Sequence, residues 1–325
     1  MGPLRVGVIG VGHLGYHHAR VYTELLNTDL VGVVDVNEDR AASIGETLGV
    51  PHYTDVEKFL AVARPHAVSV VVPTVDHYEV ASILLESGCH VLIEKPVTST
   101  VKEAESLLKL AASKNLVLQV GHIERFNSAV QHVRNIVNNP LFLQSRRMGP
   151  FSSRINDVGV VLDLMIHDID IILSLVPSEI TSIMAMGRSI RSPLEDVATA
   201  QISFENGTLA HILVSRVSER RLRQLEIMEP ERFISLNYET QDVSIHRCIR
   251  EKGSSLMEVI EHPVFPKREP LKLELQHFVT CVREGRQPLV GIMDGKRALE
   301  VAISVLKQIH LPGESEENGE AAVGR

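Results

Sequence analysis

Five short runs of branched apolar residues, separated by helix-like stretches, constrain the first 121 residues more than any other feature. Leu4–Ile9, Leu30–Val34, Ala67–Val72, His90–Ile93 and Leu116–Val120 are nearly continuous Val, Ile and Leu. They lack the polar alternation of a half-exposed strand, so they read as strands buried on both faces, as in a parallel sheet. A helical pattern running to Leu26, and others at Arg40–Leu48, Val56–Ala63, Tyr78–Ser87 and Val101–Ala112, supply the connections. Parallel strands joined by helices require right-handed crossovers. Residues 1–121 are therefore expected to form a doubly wound, Rossmann-type α/β domain.

Beyond residue 121 the pattern changes. Thr181–Met186, Val197–Phe204 and Leu209–Ser215 read as strands, and Ala198, Ala200, Ile202 and Phe204 mark one apolar face at period two. Glu205-Asn206-Gly207 joins two of them, and Asn-Gly is the strongest short hairpin signal. Gln224–Met228, Phe233–Asn237, Val243–His246 and Leu256–Ile260 continue the series, and helical patterns at Leu271–Glu284 and Asp294–His310 close it. The expectation for residues 122–311 is an α+β domain with a largely antiparallel, open-faced sheet. The polar, turn-rich stretch 312–325 is expected to be a disordered tail.

Composition removes several classes. With 325 residues the chain can bury two cores. A net charge of −8 argues against a general nucleic-acid binder. Cys89, Cys248 and Cys281 are widely spaced and odd in number, which indicates neither a disulfide framework nor a CxxC zinc site. No run reaches the roughly 18 apolar residues of a membrane helix. The amino terminus enters an apolar strand at once, unlike a signal peptide. A cytoplasmic protein without membrane partners is expected.

Gly10-x-Gly12-x-x-Gly15 follows the first strand and opens the first helix. In that position the first glycine permits the tight turn, the second lets the backbone approach a pyrophosphate, and the third lets the helix pack on the sheet. His13 and Leu14 lie within the same cofactor-binding loop. Asp35 ends the second strand, twenty residues beyond Gly15. It can accept hydrogen bonds from ribose hydroxyls and would repel a 2′-phosphate, which favours NAD over NADP. Arg40 lies close enough to bear on that preference.

A later strand, His90–Ile93, delivers Glu94-Lys95-Pro96 to the carboxyl edge of the same sheet, where a reactive ring would lie. In Asp163-Leu-Met-Ile-His167-Asp168-Ile-Asp170 the first acid and the histidine are four apart and share a helix face. The surrounding Leu164, Ile166, Ile169, Ile171 and Ile172 imply burial, so the polar groups face partners or a cavity. A core histidine satisfied by Asp163 is the plain alternative. No third ligand stands at a recognisable spacing, so no metal is expected.

Gly10-x-Gly12-x-x-Gly15, Thr74-x-x-His77, Glu94-Lys95-Pro96, Gly121-His-x-x-Arg125-Phe126-Asn127 and Asp163-x-x-x-His167 together resemble the Gfo/Idh/MocA oxidoreductases, over residues 4–310. The resemblance implies that Lys95 and His167 face substrate and nicotinamide, with Asp163 in support. It implies cofactor contacts from Thr74, His77, Glu94 and Lys95. It also implies an open sheet face that pairs in a homodimer or homotetramer. Many relatives carry several glycines before the Asp-x-x-x-His helix; here the run is Asp157-Val158-Gly159.

Oxidising a secondary alcohol needs a base near neutrality, which histidine supplies, and a cation for the developing alkoxide, which Lys95 supplies. Arg125, Asn127 and Arg154 join Lys95, Asp163 and His167 as expected substrate contacts. Arg146, Arg147, Arg188, Arg191, Arg216, Arg220, Arg221 and Arg223 enrich the same half, which suggests an anionic substrate against the plain alternative of a solvated mixed-charge face. The segments around Gly121 and Asp157 are similar to the nucleotide-sugar branch of the family, the UDP-N-acetylglucosamine 3-dehydrogenases among them. The alternatives are a free-sugar or myo-inositol-type dehydrogenase, and a non-catalytic NAD-binding regulator, which would need none of Lys95, Asp163 and His167.

Overall fold

The apolar runs of the first unit become strands whose residues are buried almost without exception. In the computed structural model, which describes residues 2–151, 158–249 and 257–309, the first unit alternates strand and helix. Its elements are β1 (Leu4–Ile9), α1 (His13–Glu24), β2 (Thr28–Val34), α2 (Glu38–Leu48), β3 (His52–Tyr53), α3 (Val56–Ala63), β4 (Ala67–Val70), α4 (His77–Glu86), β5 (His90–Glu94), α5 (Val101–Ser113) and β6 (Leu118–Gly121). The sheet order is β3-β2-β1-β4-β5-β6, with every pairing parallel. The order reverses beside β1, so the loops after β1 and β4 flank the crevice where doubly wound sheets bind ligands. Only β3 escapes a pattern reading, because two residues are too short to show a period.

The second unit is built on α6 (Ser128–Ile136), β7 (Phe142–Met148), a π-helical turn at Val161–Met165 and α7 (Ile166–Leu175). There follow β8 (Ile180–Arg188), β9 (Val197–Phe204), β10 (Leu209–Ser215), β11 (Leu222–Glu229), β12 (Arg232–Asn237), β13 (Asp242–Ile249) and β14 (Met257–Glu261). These strands form an eight-stranded sheet in the order β14-β13-β12-β11-β7-β10-β9-β8. All its pairings are antiparallel except β7 with β10. Ala198, Ala200, Ile202 and Phe204 are buried on one face of β9, and the Asn206-Gly207 turn joins it to β10 with Gly207 at φ +85°. The hairpin thus has the inward side that period-two alternation indicates.

Two features depart from the sequence reading. The central strand β7 shows no apolar alternation, because its inward positions are Leu143, Ser145 and Arg147, two of them polar and all three buried. The segment carrying Asp163 is a π turn rather than regular α-helix, closed by the Ile166 N–H on the Val161 carbonyl, five residues back. π turns are rare and occur often at functional sites.

Two final helices are α8 (Pro270–Glu284) and α9 (Ile292–Leu306). The compact units comprise residues 1–123 with 269–297, and residues 124–268 with 298 onward. This division differs from the linear boundary at 121, because Leu271, Leu275, Phe278 and Val279 of α8 join Leu4, Val6, Val8, Val21 and Tyr22 in the first core. The expected tail, 312–325, and Arg154 lie outside the described residues. No described helix is long and apolar enough to cross a membrane.

Candidate active site

The glycine loop is shaped by close backbone approach. Gly10 has φ +82°, and a Cβ there would stand 2.4 Å from the Val71 carbonyl oxygen. A Cβ on Gly15 would stand 1.8 Å from the Gly10 carbonyl oxygen, so only glycine lets α1 begin where it does. Gly12 is different, since a Cβ there meets nothing within 4 Å and would only fill the cradle at the head of α1. Gly12 is the N-cap, no side chain caps the helix, and no acid stands in its first turn. The first N–H groups and the positive end of the helix dipole are thus left for an anion, which fits a pyrophosphate. His13 and Leu14 form the first turn of α1, with His13 edge-on to His17 at 5.0 Å.

Asp35 leaves the carboxyl end of β2 almost fully buried. One of its oxygens accepts the Val11 N–H of the glycine loop at 3.0 Å, and the other accepts the Asn37 N–H at 2.9 Å. The exposed Arg40 guanidinium lies 3.3 Å away. Acid and base therefore stand together at the strand end.

Lys95 follows β5 directly, and its peptide bond to Pro96 is cis. Two buried histidines flank this turn. The ring of His77 places Nδ1 2.8 Å from the Pro96 carbonyl and Nε2 3.0 Å from the Val72 carbonyl, tying the loops after β4 and β5 together. Burial, opposed by those carbonyls, holds its pKa below the ordinary histidine value. Sequence reasoning assigns His77 to the cofactor; in the structure its ring is occupied by backbone. His18 of α1, fully buried, has Nε2 3.2 Å from the Glu94 carboxylate, whose other oxygen accepts the Lys95 N–H at 3.3 Å. Burial pushes Glu94 up, but His18 and Lys95 outweigh it and hold the carboxyl below its usual range.

Glu274 on α8 is the counterpart. It is completely buried, and neither carboxyl oxygen has a hydrogen-bond partner among the described residues. Burial first, and the Glu94 charge second, raise its pKa well above the carboxylate range, so folding favours its protonated form. Stability then has a definite pH dependence. The folded state keeps a proton that the unfolded chain releases above about pH 4.3. This contribution is complete below that pH and is lost as pH rises, by up to about 1.4 kcal/mol per unit. Glu274→Gln should flatten the fall in stability that sets in as pH rises above about 4.3. Urea denaturation at several pH values measures it, and parallel curves for the two proteins would refute it.

In the second unit Asp163 lies in the π turn and His167 in the first turn of α7, both half-buried. The next two acids of the motif point into the core. Arg147 of β7 donates to Asp168 through Nε at 2.8 Å and to Glu124 through Nη1 at 2.9 Å, and it lies 4.8 Å over the Tyr238 ring. Burial alone would lower the Arg147 pKa, but the two carboxylates raise it above the ordinary guanidinium value. Arg125 donates twice to Asp170, at 2.6 and 2.8 Å, both groups being buried. The Asn127 side chain donates to the Tyr238 carbonyl at 2.9 Å and caps α6 by accepting the Ala129 N–H. The structure thus commits Arg125 and Asn127, expected as substrate contacts, to partners within the unit.

The other arginines divide similarly. Arg216 is buried on Asp196 at 2.7 Å and Arg146 lies 2.9 Å from Glu226, while Arg188, Arg191, Arg220 and Arg221 are exposed. Sequence reasoning did not single out Glu274 or the burial of His18, and it named Arg125 and Arg147 for a substrate rather than as the partners of Asp170 and Asp168. The acids had a signal, since two carboxylates in so apolar a helix require buried counter-charges.

Residues 4–122 match the model of the oxidoreductase family with NAD-binding Rossmann fold, and residues 119–229 match the GFO/IDH/MocA C-terminal domain. UDP-N-acetylglucosamine 3-dehydrogenase of Acidithiobacillus ferrooxidans is 34% identical over 304 residues, 93% of this chain and 96% of that protein. A solved structure of that enzyme superposes with a TM-score of 0.88, covering 95% of this chain and 98% of the other. The scyllo-inositol 2-dehydrogenase (NAD(+)) of Bacillus subtilis is 31% identical over 323 residues, 93% of this chain and 92% of that protein.

Proposed function

Because the chain belongs to the Gfo/Idh/MocA oxidoreductase family, we propose that it is an NAD-dependent dehydrogenase of a nucleotide sugar, UDP-N-acetylglucosamine or a close relative, acting on a secondary alcohol. The 34% identity to a UDP-N-acetylglucosamine 3-dehydrogenase, spread over nearly the whole of both chains, carries this assignment. Intact Lys95, Asp163 and His167 support catalysis over a purely NAD-sensing role.

Gly10, Gly12, Gly15 and the N–H groups opening α1 hold the pyrophosphate, and Asp35 receives the ribose hydroxyls. The bound nicotinamide supplies the hydride acceptor. Lys95 stabilises the charge that develops on the substrate oxygen and fixes the hydroxyl's position. His167 accepts the hydroxyl proton, and Asp163 orients the imidazole. The buried Glu94 carboxylate, held by His18, keeps negative charge behind the Lys95 turn. Exposed arginines of the second unit, Arg220 and Arg221 among them, are the candidates for the diphosphate.

The 31% identity to an inositol dehydrogenase supports one other reading, oxidation of a free polyol. UDP-N-acetylglucosamine, other UDP-sugars, free N-acetylglucosamine, glucose and myo-inositol are to be compared, each with NAD and with NADP and a carbonyl trap. Nucleotide sugars should turn over with NAD. Each charge-assisted phosphate contact is worth about 1.5–3 kcal/mol, so losing two should cost the free sugars about two to four powers of ten in kcat/KM. Turnover of myo-inositol with no response to any nucleotide sugar would replace this substrate class with the polyol one.

A further inference from the structure

The π turn that carries Asp163 begins on a braced loop rather than on a side-chain cap of its own. Glu195, just before β9, supplies that brace twice. Its backbone carbonyl accepts the Val160 N–H at 3.0 Å, and its carboxylate accepts the Val161 N–H at 3.1 Å. The same carboxylate lies flat against Gly159, where a Cβ would stand 2.0 Å from Oε1 and 2.1 Å from Cδ. The Gly159 carbonyl in turn accepts the Asp163 N–H at 3.0 Å.

Asp196 fixes Glu195 from the other side. Its carboxylate accepts the N–H groups of Ile190, Arg191 and Ser192, the Ser192 hydroxyl, and Nε of Arg216. Arg216 closes the loop by donating to the Val158 carbonyl at 2.8 Å. Burial pushes the Glu195 carboxyl up, while the surrounding N–H groups hold Asp196 well below the carboxylate range. The π turn thus starts on a loop held by two buried acids.

We propose that Glu195, seated on Gly159 and locked by Asp196 and Arg216, is a positioning residue for the Asp163–His167 pair. It acts by accepting the first N–H of the π turn. The proposal rests on the catalytic roles given above to Asp163 and His167. It also gives Gly159 its reason, since a side chain there would meet the Glu195 carboxylate.

Three variants test it. Glu195→Ala removes the acceptor, and since misplacing a reacting group by about 1 Å can cost 10²-fold, kcat should fall by about 10- to 100-fold. Its Kd for NAD should change less than about 3-fold, because cofactor contacts lie elsewhere. Glu195→Gln keeps an oxygen for the Val161 N–H and should restore kcat to within about 5-fold of wild type, about 1 kcal/mol. Glu195→Asp keeps the charge but shortens the reach by one methylene, and should fall between the two. The His167 imidazole resonances report position without turnover; they should move in Glu195→Ala and return in Glu195→Gln.

Wild-type kcat and unmoved His167 resonances in Glu195→Ala would overturn the proposal while leaving the proposed function intact. Equal loss in the Ala and Gln variants would overturn it as well. Should Glu195→Ala not fold, Glu195→Asp decides, and wild-type kcat there is fatal. A His167→Ala protein with undiminished kcat would instead remove the underlying functional reading.

Discussion

Lys95→Ala and His167→Ala should each lower kcat by about 10² or more, the usual contribution of a positioned acid–base or charge-stabilising group. Neither change should alter Kd for NAD appreciably, because the pyrophosphate cradle is made by the glycine loop and the head of α1. Lys95 sits at the carboxyl end of β5, next to an ionised Glu94, so its loss removes a cation from a place prepared for one. Its ammonium is needed as charge develops on oxygen, so the effect belongs in kcat more than in KM. Steady-state kinetics with the best nucleotide sugar, paired with calorimetric titration of NAD, measures both quantities. Either variant turning over at close to the wild-type rate would take that residue out of the mechanism.

The second large effect concerns the charged core under α7. Arg147 is 3% exposed and serves Asp168 and Glu124 at once, and the Ser145 hydroxyl donates to the same Asp168 at 2.6 Å. Removing one partner of such a pair strands a buried charge, at a cost of about 3–5 kcal/mol. Arg147→Met should therefore destabilise the protein by about that amount. Asp168→Asn should cost less, since an amide keeps an acceptor for Ser145. Urea denaturation followed by circular dichroism measures the loss, and a deficit below about 1 kcal/mol for Arg147→Met, a surface-pair value, would contradict the buried-network account. Asp168 is the next residue after His167, so Arg147 also fixes the rotation of the helix turn that presents the histidine.

These two groups of residues show how unevenly the sequence discloses the structure. The first unit is legible because strands buried on both faces are written as uninterrupted Val, Ile and Leu, and the glycine spacing dictates the turn between β1 and α1. Strand β9 is legible because its inward side is wholly apolar. Strand β7 lies at the centre of the same sheet and is silent, because Ser145 and Arg147 occupy inward positions and erase the period. Its burial depends on Asp168, some twenty residues later, and on Glu124, some twenty residues earlier, pairings that no local window contains. The π turn is hidden for another reason, since Val161–Met165 has the composition of an ordinary buried helix and differs in its backbone bonding, as in the Ile166 N–H to the Val161 carbonyl. Lys95 and the Asp163–His167 spacing could be picked out by chemistry, whereas His18 and Glu274 could not. A histidine and a glutamate on amphipathic helices carry no local sign of the burial that the fold gives His18 and Glu274 near Glu94.

Helix α8 bears on how the chain comes to be folded at all. The parallel sheet of the first unit is complete by residue 121, yet Leu271, Leu275 and Phe278 are part of its core and lie about 150 residues later. Chains usually consolidate their amino-terminal domain first while synthesis continues. Here that unit emerges with one apolar flank uncovered and waits for nearly the whole of the second unit to be translated. A chain cut anywhere before α8 would thus leave that side of the first core, Leu4, Val6, Val8 and Tyr22 among it, without its cover.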